Sequence, residues 1–119
     1  MSSSADITPP PFDRDAFLAR VLGDVHLASA MAELFVRECP RMLDAVREAV
    51  AGGDALEVWR TAHALKGSVA NFAAPAATAA AEHVELLGRS GALTDAEDAV
   101  RTLADELARL VPALRELIA

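Results

Sequence analysis

Cysteine is all but absent from this chain, and that absence removes two chemistries at once. With Cys39 alone, neither an internal disulfide framework nor a thiolate zinc site can be built, and a reducing setting, the cytosol, is expected. Glycine occupies only six positions. Neither G-x-x-x-x-G-K-[ST] nor G-x-G-x-x-G occurs, so ATP or a dinucleotide has no phosphate-cradling loop to enter. Basic residues are outnumbered, 11 against 18 acidic, and a net charge of −7 argues against nucleic-acid binding, because nothing would neutralise a row of phosphates. No uncharged apolar run is long enough to span a membrane. The opening Met-Ser-Ser-Ser-Ala-Asp-Ile-Thr has neither the basic nor the apolar region of a secretory signal, so an intracellular, cytoplasmic protein is expected. Lysine occurs once, at Lys66, beside ten arginines.

What is present is the material of one helical domain. A chain of 119 residues, 53% hydrophobic and 24% charged, suits a single globular core, and alanine at 27 positions biases it towards helix. Residues 1–12, Ser-rich and then Pro9-Pro10-Pro11, read as a disordered or extended leader, with the folded domain over 13–119. Asp13 is placed to cap a short helix carrying Phe17, Leu18, Val21 and Leu22, which Gly23 stops. Asp24 caps a long segment with a stripe at Ala28, Ala32, Phe35, Cys39, Met42, Val46 and Ala49. Pro40 falls within that segment, and the stripe holds its phase across it, which predicts a kink without a break. After Gly52-Gly53, Asp54 caps a third helix striped by Val58, Ala62, Leu65, Val69 and Phe72. Beyond an Ala73-Ala74-Pro75 turn, a fourth stripe of Ala77, Ala80, Val84 and Leu87 is read as ending between Gly88 and Gly91. The last helix starts at Thr94 or Asp95, is striped by Ala96, Val100, Leu103, Leu107, Leu110, Leu114 and Leu117, and bends at Pro112. No alternating strand pattern or repeat occurs. The expected fold is all-α, an antiparallel up-down four-helix bundle with the short first helix packed over one end.

The string Trp59-Arg60-Thr61-Ala62-His63-Ala64-Leu65-Lys66-Gly67-Ser68 carries the functional information. The third stripe centres roughly 140° from His63 at 100° per residue, so the ring points outward. A lone outward histidine is ordinarily a surface residue, but its neighbours are unusual. The sole lysine, Lys66, lies one turn on, close enough for its ammonium to reach whatever the ring binds. Gly67 sits mid-helix, where glycine costs roughly 1 kcal/mol against alanine, and Ala70 lies almost in line with His63. Together these leave a low surface that admits another protein. Counting back from a turn about Ala74 brings Glu85 level with His63. A carboxylate there can hold one imidazole nitrogen and leave the other as a nucleophile; the alternative is an ordinary solvated helix glutamate.

His63-Ala64-Leu65-Lys66-Gly67-Ser68 resembles the signature of the histidine-containing phosphotransfer (HPt) domain. So do Phe12-Asp13-Arg14-Asp15-Ala16-Phe17-Leu18, Gly52-Gly53-Asp54 and Asn71-Phe72-Ala73-Ala74-Pro75, although the family's usual glycine in the last is Ala73 here. The resemblance runs from about residue 12 to the C-terminus. It implies that His63 is the phosphoacceptor, carrying a phosphoryl group on Nε2, that Lys66 steadies the phosphoryl oxygens, and that Glu85 orients the ring. Trp59, Arg60, Gly67 and Ala70 would lie on the partner-binding face. The implied partner is the receiver domain of a response regulator or hybrid histidine kinase, which supplies the aspartate and the Mg²⁺; this chain needs no cofactor or metal of its own, carries no autokinase motif, and is expected to be a monomer.

Three other readings compete. A histidine kinase dimerisation helix follows its histidine with an acidic residue and soon a proline, whereas Ala64 follows here and the next proline is Pro75. A di-iron bundle needs paired Glu-x-x-His motifs, but Arg60, Ala80 and Gly23 stand three before His63, His83 and His26. His26 and His83 lack lysine and glycine at the offsets seen for His63 and read as surface residues. The stronger competitor is a degenerate HPt-like docking module that binds a partner without phosphotransfer, against which the intact His63, Lys66 and Gly67 set argues.

Overall fold

The computed structural model describes residues 9–118 and is all-α. Its helices are α1 (Arg14–Arg20), α2 (Val25–Ala51), α3 (Ala55–Ala70), α4 (Pro75–Ser90) and α5 (Ala96–Ile118), the last preceded by a 3-10 turn over Leu93–Asp95. The aspartates set the starts. Asp13, Asp24 and Asp54 hold extended backbone and accept from the N–H groups of Ala16, Leu27 and Glu57 at 3.0, 3.0 and 3.2 Å, satisfying donors that no helical carbonyl reaches. α4 has no side-chain cap and begins on Pro75, whose missing N–H costs nothing there. α2 runs unbroken through Pro40.

The stripes become the core. Every residue of the third stripe is buried, as are all of the second except Met42 and all of the fifth except Leu117, which are half-buried. α2 packs against α3 and α5, and α4 against the same two helices, with the α3–α4 pairing the most extensive. α1 is tied to the turn between α3 and α4. The Asp13 N–H donates to the Ala73 carbonyl at 2.8 Å and the Arg20 guanidinium to that of Ala70 at 2.5 Å. Phe17, fully buried, lies between Phe12 and Phe72 with ring centroids 6.3 and 5.0 Å away. Burial of that ring contributes roughly 2–3 kcal/mol. Among the described residues no helix is long and apolar enough to cross a membrane. Residues 1–8 of the expected leader lie outside the described residues. Its end does not behave as a leader: the Pro9 carbonyl accepts from Arg109 at 2.6 Å, and Phe12 is core.

α4 ends within the interval read from the sequence: it closes at Gly91 in the left-handed conformation (φ +76°), and Gly88 is buried inside the helix. The end of the first helix needs correction. Val21 and Leu22 are not part of the first helix; Val21 is its C-cap. That helix stops at Arg20, and Leu22 turns left-handed (φ +56°) with its side chain 94% exposed. The physical reason is the cap. Gly23 N–H reaches the Leu18 carbonyl and Leu22 N–H that of Ala19, at 2.9 and 3.1 Å, a Schellman arrangement whose left-handed position is Leu22, one residue ahead of the glycine. α2 and α4 end the same way but with Gly53 and Gly91 at that position. Leu22→Gly therefore relieves strain without removing any buried surface. It is expected to stabilise the fold by about 0.5–1 kcal/mol, read as a rise in melting temperature. Ala73, left-handed at φ +53° where the family's glycine is usual, is 9% exposed. Glycine there would give up a buried methyl group for the same relief.

Candidate functional site

Glu85 is the one charged side chain that is buried among the described residues, 4% exposed on the face of α4 that meets α3. A buried carboxylate is costly unless charged or hydrogen-bonded partners compensate it, and two residues of α3 do so. His63 Nδ1 lies 2.5 Å from Glu85 Oε2, and Lys66 Nζ lies 2.6 Å from Glu85 Oε1. His63 and Lys66 are three apart on one helix face, so a single carboxylate offers one oxygen to each. Glu82, one turn earlier on α4, adds a second, looser contact to Lys66 at 3.8 Å.

Burial pushes the Glu85 carboxyl up, but the hydrogen bonds from Lys66 and His63 and the charges behind them outweigh it and hold the group below its ordinary value. The hydrogen bond to Glu85 likewise lifts Lys66 above its ordinary value, against partial burial and the nearby Arg89. Glu85 is therefore ionised near neutral pH and accepts only. The neutral His63 ring must then carry its proton on Nδ1 and present a bare lone pair at Nε2. With the His63 side chain 61% exposed, that lone pair is open to solvent while the ring is held from behind. The other face of the ring is flanked by Trp59, one turn back, whose rings lie 6.0 Å away and 28° from parallel. The Trp59 indole N–H is buried without a partner.

The remaining residues singled out from the sequence divide. Gly67 and Ala70 are exposed beside His63, and a Cβ built at Gly67 would meet nothing within 4 Å. Arg60 is exposed and pairs with Glu57 at 3.4 Å, within its own helix. His26 and His83 are exposed, and neither takes part in the hydrogen bonds and ion pairs of this cluster. Lys66 is turned towards Glu85 rather than out beyond the ring. Glu82 and Gly88 belong to the site and were missed. Glu82 gave no signal beyond helix register, whereas Gly88 gave one, a glycine in phase with Val84 on an alanine-rich helix.

A pH dependence follows from the depressed Glu85 carboxyl. In the unfolded chain it binds a proton near its ordinary value, about pH 4.3; in the fold it does so only lower. Its contribution to stability is thus complete above the unfolded value and is lost as the pH falls through the folded one. In acid titrations followed by circular dichroism, Glu85→Gln is expected to lose about 1–2 kcal/mol at neutral pH. Its deficit against the wild type should begin to shrink below about pH 4.3, where the unfolded chain takes up the proton, and close only at the lower pH where the folded carboxyl is protonated too. A constant deficit across that range would separate Glu85 from the acid response.

The cluster is thus an exposed imidazole backed by a buried carboxylate, on an all-helical scaffold. The family model for the Hpt domain matches residues 30–113, and the chain belongs to the Hpt domain family, whose setting is the phosphotransfer relay. The fold is similar to that in the crystal structure of histidine-containing phosphotransfer protein B (HptB) from Pseudomonas aeruginosa PAO1. The TM-score is 0.84 at 21% sequence identity, over 92% of this chain and 95% of that one. Comparison with curated proteins gave no significant match.

Proposed function

We propose that His63 accepts a phosphoryl group at Nε2 from the aspartyl phosphate of a receiver domain and passes it on to a receiver aspartate. The observation that carries this reading is the 2.5 Å contact of Nδ1 with a buried carboxylate, which leaves Nε2 free on a side chain that is 61% exposed. In the forward step the Nε2 lone pair forms the N–P bond as the P–O bond to the receiver aspartate breaks, and the carboxylate departs with the receiver. The ring then holds phosphorus on Nε2 and a proton on Nδ1, a formally cationic state that the Glu85 carboxylate offsets. In the return step the electron pair of the N–P bond goes back to Nε2, and neutral imidazole is the leaving group.

Lys66 serves both partners in this reading. Its ammonium has three donors; one engages Glu85, and the flexible stem lets another swing to the phosphoryl oxygens, which bring about two negative charges. The receiver supplies Mg²⁺ and the acidic residues that hold it. Trp59, Gly67 and Ala70 flank the approach, and an up-down four-helix bundle provides the rigid support. Incubation of the purified protein with phosphorylated receiver domains tests the proposal. The expected product is a label on this chain that is lost in acid and survives base, as phosphohistidine does. A receiver that binds without passing label would make the chain a docking module instead.

A further inference from the structure

The chain has two glycines inside helices, and their surroundings are opposite. Gly67 on α3 faces open space, whereas a Cβ at Gly88 on α4 would lie 2.5 Å from the Trp59 nitrogen, 2.9 Å from the Trp59 Cα and 3.0 Å from the Ala55 carbonyl oxygen. All three are main-chain atoms, which cannot swing aside, so any side chain at residue 88 forces the two helices apart there. Glycine is a poor helix former, and an alanine-rich helix had the better choice at hand. What the glycine secures is a backbone-to-backbone approach of α4 on α3.

The crossing stands one turn from the reactive ring on both helices. Gly88 is three residues after Glu85, and Trp59 is four before His63. We propose that Gly88 is a positioning residue for His63, because the close crossing it permits is what brings Glu85 within hydrogen-bond reach of the imidazole. Seating a Cβ at ordinary contact distance needs a separation of about 1 Å at the crossing. A 2.5 Å hydrogen bond one turn away does not survive a displacement of that size. The loss is selective. Lys66 has a long flexible stem and follows Glu85 as it moves, while the His63 ring sits on a single methylene and cannot. The carboxylate stays with the lysine, and the ring loses its Nδ1 anchor. The consequence for transfer rests on the phosphoacceptor reading above; the consequence for the ring does not.

Gly88→Ala tests this in the intact protein. Nitrogen-15 NMR of the His63 ring is expected to show the Nδ1–H tautomer in the wild type and a shift to the Nε2–H form, the usual one for imidazole in water, in the variant. Phosphotransfer from a receiver should slow about tenfold. In a Glu85→Ala background the same substitution should change the rate less than about twofold, because a residue acting through Glu85 has nothing left to act on. A folded Gly88→Ala protein with an unchanged tautomer overturns the proposal, and so does a rate loss that persists undiminished without Glu85. Should Gly88→Ala fail to fold, Ala81→Val decides. Ala81 is buried on the same face of α4, about 20° from Gly88 and one turn before Glu85. It widens the same seam more gently, and an unaltered tautomer there would equally refute the idea. If even the wild type takes no label, the phosphoacceptor reading falls while the tautomer measurement still judges Gly88.

Discussion

His63→Gln abolishes all receiver-derived label and leaves the helical content unchanged. The two halves of this expectation have separate causes. Only His63 among the three histidines has its Nδ1 held by a buried carboxylate, so only its Nε2 is presented as a fixed nucleophile; a glutamine amide nitrogen has no comparable lone pair. The fold is spared because the side chain is 61% exposed and packs no core. Glu85 keeps its 2.6 Å partner Lys66, so the substitution strands no unpaired charge and costs about 1 kcal/mol or less. Autoradiography of acid-treated and base-treated samples, alongside circular dichroism, measures both. Label that persists, or that moves to His83 or His26, would remove His63 from its role.

The sequence made the helix starts legible because their signals are local. An aspartate ahead of an apolar stripe caps whatever follows, and Asp13, Asp24 and Asp54 do so irrespective of tertiary context. The stripes were legible because a helix buries one face. The contact between His63 and Glu85 was reachable by counting residues about a short turn, since two helices of a hairpin keep register over three turns. That count could not say that Glu85 is buried, because burial depends on how closely the helices approach, and the approach is set at Gly88. A glycine near a helix end reads equally as a stop or as a point of contact. Only the backbone of Trp59 lying against it decides between them. Leu22 shows the reverse failure. An apolar residue in phase with a helix looks like core, and nothing in its identity reveals that the chain turns left-handed there. The direction of Lys66 was equally hidden, since an ammonium one turn from a histidine can serve the ring's future phosphate or a carboxylate behind it.

Gly67→Gln is expected to separate stability from function more sharply than any other change in the chain. The position lies mid-helix and a Cβ there meets nothing within 4 Å, so the substitution replaces a poor helix former by a better one without crowding. A gain of about 0.5–1 kcal/mol follows, or a rise of roughly 2–6 °C in melting temperature. The new side chain stands one turn beyond His63 with its Cβ about 5–6 Å from that of the histidine, on the surface a receiver must cover to bring its aspartate in line with Nε2. Transfer from a receiver should fall about a hundredfold, because a near-attack geometry tolerates little displacement. Phosphoramidate, a donor small enough to pass the glutamine, should label the variant at the wild-type rate if it labels the wild type, since the imidazole and its Glu85 anchor are untouched. The contrast with Gly88→Ala is then diagnostic. There the partner's path is open but the ring is misheld, so transfer from both donors declines; here the ring is held and only the protein donor fails. Receiver transfer at full rate in Gly67→Gln would mean that the low surface beside His63 has no part in admitting a partner. A lowered melting temperature would mean that α3 is rotated from the phase in which Val58, Ala62, Leu65 and Val69 face the core.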